Sequence, residues 1–149
     1  MTRQINMQGL ALVKEFEGCK LDAYQDVAGI WTIGYGHIRG VQPGMRISQT
    51  EAEQTLLDDL LGTEAVVDAA TGNVPTSDNQ FAAMVVLCFN IGSANFRGST
   101  VLREHLAGHT DAAADAFLMW NKARVDGVLQ PVTGLTNRRS AERALYLTP

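Results

Sequence analysis

Apolar positions recur at helical spacing over most of the chain. Met7, Leu10, Ala11 and Phe16 mark one helix face, with Asn6 in place to cap its start and Gly18 to end it. Between 21 and 47 the period changes. LDAYQD is followed by the turn formers Val27-Ala28-Gly29, by the β-branched and aromatic run IWTIGYGHI, and, after Pro43-Gly44, by Met45-Arg46-Ile47. That order predicts a small three-stranded antiparallel sheet. Ser48 and Glu51 then have capping-box spacing and open a long helix to about Ala69. Ser77 and Gln80 open another, with Phe81, Met84, Val85 and Cys88 on one face. Ser99 is placed to cap a helix to Ala107 that Gly108 ends, and Thr110 to cap DAAADAFLMW. Asp126-Gly127 sits between short β-like runs as a hairpin or irregular loop, and Thr136 opens a last helix through Leu147. Helix, small sheet, then helices alone make an α+β domain of two lobes. The sheet lobe is expected at about 19–47, the connecting helix at about 48–69, and the helical lobe at about 76–149 with the N-terminal helix. A cleft between lobes is the expected ligand site.

Composition narrows the function classes. With 149 residues, 46% hydrophobic and 19% charged, the chain is one domain's worth and needs no metal or disulfide scaffold to hold a core. A net charge of −4 removes the broad attraction on which nucleic-acid binding rests. The longest apolar stretch, Phe81 to Phe89, falls far short of the roughly 20 residues of a membrane span. Gly9 to Val13 is too short for a signal-peptide core, so a cytoplasmic start is expected. Cys19 and Cys88 lie far apart without a CxxC motif and are expected to stay reduced.

Two carboxylates flank the start of the predicted sheet. Glu17 ends the first helix, where the negative dipole end and the apolar neighbours Phe16 and Leu21 favour its protonated form, as a general acid requires. Asp26 sits beside a glycine-containing turn, a wetter place suited to a carboxylate that stays ionised. Thr32 offers a hydroxyl across the hairpin. Divergent environments for two carboxyl groups are the pattern of glycoside hydrolysis, although a chain with 16 acidic residues also brings solvated pairs this close. Other signals are weaker. Gly34-Tyr-Gly-His-Ile-Arg-Gly40 lies in the sheet region rather than opening a helix, so it is no dinucleotide loop. His105 and His109 have metal-ligand spacing, but Gly108 interrupts their helix and no third ligand is near, so no metal is expected. Ser99 and Ser140 lack a nucleophile elbow.

The segment EGCKLDAYQDVAGIWTIGYGH, with Glu17, Asp26 and Thr32 in it, resembles the catalytic Glu/Asp/Thr segment of the tailed-phage lysozymes, glycoside hydrolase family 24. The resemblance continues through TEAE at 50–53, FNIG at 89–92, Gly98-Ser99-Thr100 and GLTNRRSAERALY at 134–146. It implies a lysozyme-like two-lobed fold and hydrolysis, without a cofactor, of the β-1,4 bond between N-acetylmuramic acid and N-acetylglucosamine in peptidoglycan. Glu17 would protonate the leaving oxygen while Asp26 and Thr32 activate water on the opposite face, with inversion and carboxyl groups roughly 6.5–9.5 Å apart. It also implies that Arg138 orients Glu17, that His37 pairs structurally with Asp59, and that Ile38, Phe89, Asn90 and Ser99 contact substrate. Ala116 lacks the polar side chain sometimes found at a further contact position. Trp31 and Trp120 are open to a stacking or a core role.

In that context the chain reads as a monomeric phage endolysin that waits in the host cytoplasm for a holin and then reaches the periplasm and wall. Two rivals share the pattern: a non-catalytic wall-binding module, and a lytic transglycosylase leaving 1,6-anhydro ends. The acidic excess is confined to residues 47–96, with seven acidic and no basic side chains, whereas 97–149 hold seven basic and five acidic. The global charge therefore understates attraction to an anionic wall.

Overall fold

The computed structural model describes residues 2–149. The chain divides into two compact units, one formed by Val13–Gly62 and the other by the residues up to Leu12 together with Thr63–Pro149. Helices α1 (Met7–Glu17) and α2 (Gln49–Thr71) each begin in one unit and end in the other. Asn6 Oδ1 accepts the Gly9 N–H at the start of α1, and Gly18 turns left-handed at its end, donating its N–H to Lys14 O.

In Val13–Gly62, β1 (Lys20–Gln25) pairs antiparallel with β2 (Trp31–Gly34), with an irregularity between Lys20 and Tyr24. The expected third strand is reduced to one bridge between Asp22 and Arg46, held by the bonds Ala23 N–H to Met45 O and Ile47 N–H to Leu21 O. The reason lies in the connection. Gly36, Gly40 and Gly44 all take positive φ, so the chain is turning repeatedly where a ladder would have to extend. Ile33 and His37 exchange both backbone bonds around the loop Gly34-Tyr35-Gly36, which is what the GYG string builds. The capping box at Ser48 forms as read: Ser48 Oγ accepts from Glu51 N–H and Glu51 Oε1 accepts from Ser48 N–H. The helix behind it runs two residues beyond Ala69.

The larger unit is built around α3 (Asp78–Ile91). Its Ser77–Gln80 capping box is complete, and every residue from Phe81 to Cys88 is buried. One apolar face was expected; α3 is instead wrapped on all sides. Around it come α4 (Ser93–Arg97), which the sequence pattern did not reveal, α5 (Thr100–Leu106) and α6 (Thr110–Ala116). Residues Phe117–Trp120 leave α6 as a 3₁₀ turn. The cap of α6 is His109 rather than Thr110: its carbonyl accepts from Ala113 N–H, while its ring is held by Glu104. Strands β3 (Lys122–Val125) and β4 (Val128–Pro131) form a hairpin whose Asp126-Gly127 turn has both residues at positive φ. The last helix, α7 (Thr133–Leu147), starts three residues before Thr136, because Val132 is pinned by its N–H to Asn121 O and already accepts the Thr136 N–H. Thr136 Oγ1 accepts from the Asn121 amide instead of capping. Asn79 ties the chain ends to this unit, accepting from Asn6 Nδ2 at 2.9 Å and donating to the carbonyls of Thr148 and Pro149 at 3.2 and 3.4 Å. The class is α+β; the expected three-stranded sheet is a two-stranded one plus a bridge, and the Asp126-Gly127 segment takes the hairpin form of the two alternatives as a second sheet.

Candidate active site

Glu17, Asp26 and Thr32 all belong to the Val13–Gly62 unit. Glu17 is the last residue of α1 and half-buried. Its carboxylate lies against the Gly34–Gly36 loop so closely that a β-carbon on Gly36 would sit 2.8 Å from Glu17 Oε2. The backbone at φ +74° favours glycine there, and a β-carbon would push the end of the Glu17 side chain from its place.

Asp26 closes the β1–β2 turn. Its Oδ1 accepts the N–H groups of Ala28 and Ile30, both at 2.8 Å, and its backbone N–H bonds Ile30 O. Among the described residues Oδ2 takes no hydrogen bond, so one oxygen shapes the turn while the other is available for chemistry. Thr32 on β2 stands opposite Tyr24 and is buried. Its hydroxyl donates to Ile30 O at 2.9 Å. With that hydrogen committed, Thr32 Oγ1 is left only to accept, as is Oδ2 of the Asp26 carboxylate.

His37 Nδ1 lies 2.8 Å from Asp59 Oδ2 on α2, with both side chains about four-fifths buried. Of the residues expected to meet substrate, Ile38 and Asn90 are exposed and Phe89 is half-buried. Ser99 is buried at the cap of α5, donating to Phe96 O and accepting from Leu102 N–H, and it lines a pocket of about 330 Å³ with Arg97 and Arg103. Arg138 is half-buried in α7; Trp31 and Trp120 are also half-buried. Cys19 and Cys88 are free thiols. His105 and His109 face separate partners, His105 bonding Tyr146 and Thr76 and His109 bonding Glu104. No group of three or more potential metal-ligating side chains occurs among the described residues.

Two groups escaped the sequence reading. Gly36 lay within the IWTIGYGHI run and the rejected dinucleotide motif, but neither pattern singled it out as the residue against the Glu17 carboxylate. Arg139 and Glu142, three residues apart on α7, look like an ordinary exposed helix pair in sequence, yet both are fully buried and bonded at 2.8 Å. Arg139 Nη1 also donates to Asn90 Oδ1 at 2.9 Å and to Trp120 O at 3.4 Å. Burial raises Glu142 to about 7 against the opposing pull of Arg139, and burial lowers Arg139.

A helix-terminal glutamate against a glycine loop, an aspartate in the adjoining hairpin turn and a buried threonine on the next strand define the class of small lysozyme-like α+β proteins. Comparison narrows that class. The family model for phage lysozyme matches residues 14–142, and the chain belongs to that family. The endolysin of Acyrthosiphon pisum secondary endosymbiont phage 1 is 41% identical over 142 residues, 95% of this chain and 97% of that relative. The solved endolysin of Escherichia coli O157:H7 phage FAHEc1 superposes with a TM-score of 0.93 at 42% identity, covering 99% of this chain and 95% of that one. The muramidase domain of SpmX from Asticaccaulis excentricus gives 0.89 at 38% identity, with 99% of both chains covered.

Proposed function

We propose that this protein is an endolysin of muramidase type, which hydrolyses the β-1,4 bond between N-acetylmuramic acid and N-acetylglucosamine of bacterial peptidoglycan during host lysis. The observation that carries this is the division of labour in Asp26 and Thr32. Asp26 Oδ1 is spent on the turn, and the Thr32 hydrogen is committed to Ile30 O. What remains is a pair of acceptors suited to a nucleophilic water, with Glu17 as the acid that protonates the leaving oxygen. Water activated by a second carboxylate implies inversion. Arg138 orients Glu17, the His37–Asp59 pair is structural, and Ile38, Phe89 and Asn90 contact the glycan, while Ser99, its hydroxyl spent on the α5 cap, shapes the site from beneath. The enzyme acts as a monomer without a cofactor. It is held in the host cytoplasm until a holin opens the membrane, and then works in the periplasm on the wall; the endolysin names of the relatives support the lytic role and not this order of release.

Turbidity clearing of outer-membrane-permeabilised cells tests the assignment. Wild type clears and Glu17→Gln does not; equal clearing by both refutes it. Mass spectrometry of the digest finds reducing ends, whereas 1,6-anhydro ends would mean a transglycosylase and intact polymer a binding module. NMR of the first product finds an inverted anomeric centre. Lysis by the protein expressed without a holin would overturn the proposed release step.

A further inference from the structure

Arg139 and Glu142 are the most deeply buried charges described, both fully inaccessible. As a stability device the pair is poor. Arg139 Nε and Glu142 Oε1 have no hydrogen-bond partner among the described residues, and a half-satisfied buried ion pair generally does no better than apolar side chains of the same size. What apolar side chains could not do is fix Asn90. A guanidinium only donates, so the amide it bonds must turn its oxygen inward. Asn90 Oδ1 accepts from Arg139 Nη1 at 2.9 Å, Glu142 Oε2 locks the other arm of the fork through Nη2 at 2.8 Å, and the exposed Asn90 therefore presents its NH₂ to solvent. That NH₂ has no acceptor among the described residues.

We propose that Arg139, anchored by Glu142, is a positioning residue that fixes Asn90 as an outward hydrogen-bond donor for a carbonyl oxygen of the wall polymer. The inference rests on the muramidase reading above. A glycan strand offers such a carbonyl in its acetamido groups, and a stem peptide offers it in its amide bonds. Unanchored, the Asn90 amide would rotate freely and present oxygen as readily as nitrogen, so the buried pair acts on substrate affinity and not on the chemical step.

The test is steady-state kinetics on purified peptidoglycan and on peptide-free glycan, with folding followed by circular dichroism and Tm. Asn90→Asp keeps an acceptor for Arg139 but removes the donor. Arg139→Met/Glu142→Leu keeps the core volume but releases Asn90. Each is expected to raise KM about three- to tenfold, as for one lost hydrogen bond, with kcat within about twofold. Combining them adds little, because both remove the same contact. A KM increase on both substrates assigns the acceptor to an acetamido group; an increase on peptide-bearing polymer alone assigns it to the stem peptide. Arg139→Lys retains charge beside Glu142 but cannot fork to both partners, and it decides the matter if the apolar pair fails to fold. In Glu17→Gln the Asn90 side-chain amide resonances shift when peptide-free glycan or peptide-bearing polymer is added. Wild-type KM in Asn90→Asp or in the folded Arg139 variants, a loss confined to kcat, or unmoved Asn90 resonances with both substrates would overturn the proposal. Failure of the wild type to release reducing ends would sink the muramidase reading instead.

Discussion

Single atoms in the Val13–Gly62 unit separate the proposed chemistry from scaffolding. Asp26→Asn preserves an oxygen for the Ala28 and Ile30 N–H groups, so stability should change by no more than about 0.5 kcal/mol while hydrolysis falls at least about 100-fold. A comparable loss of stability would mean that the carboxylate is structural. Gly36→Ala fails by another route. Its β-carbon would collide with Glu17 Oε2, and the residue would be held left-handed, at a cost of about 1–2 kcal/mol. Displacing the acid by even a fraction of an ångström should cut kcat by roughly 10- to 100-fold, and unchanged kcat in the folded variant would contradict the close approach. Glu17, Asp26 and Thr32 stand out in sequence because residue type and order carry the resemblance, and the fold places all three in one compact unit. Arg139 does not, because burial of a charged helix residue depends on what packs over it, and the apolar period of α7 does not announce that.

Helix boundaries were readable wherever a side chain makes the boundary. Asn6, Ser48, Ser77 and Ser99 all bond the backbone N–H groups their spacing predicts. Thr110 and Thr136 were misread for one reason: backbone bonds from neighbouring segments set those starts, through His109 and Val132, and a capping residue nearby is then superfluous. The third strand was misread because β-branched composition cannot say whether three positive-φ glycines will let the chain extend. Ser77→Ala removes one half of a complete capping box at the start of the central helix. It should cost about 1 kcal/mol and lower Tm by about 2–4 °C without altering kcat. Thermal melts beside kinetics check it, and an unshifted Tm would leave the start of α3 held by packing alone.

At the scale of the whole molecule, buried titrating groups tie stability to pH. Glu142 is raised to about 7 by burial, so the native state keeps a proton that the unfolded chain, near 4.5, has released. Its contribution is complete below the lower value and is lost as pH climbs through about 7. Glu64, raised by burial, acts in the same direction. His105, lowered by burial, opposes both, contributing fully above its ordinary 6.5 and losing that contribution as pH falls. Melting wild type and Arg139→Met/Glu142→Leu from pH 5 to 7 isolates the Glu142 share. The double variant should gain Tm relative to wild type as pH rises, and a constant difference would deny the raised carboxyl. Asn79, finally, grips Asn6 and the carbonyls of Thr148 and Pro149 at once, so segments some seventy positions away on either side of it are spatial neighbours, and connecting them directly should leave the finished fold intact. A ring closed by a short Gly/Ser linker and reopened at the exposed Asp126-Gly127 turn should fold and lyse cells; a permutant that stays unfolded would mean that the order of synthesis, and not only the final contacts, guides this chain home.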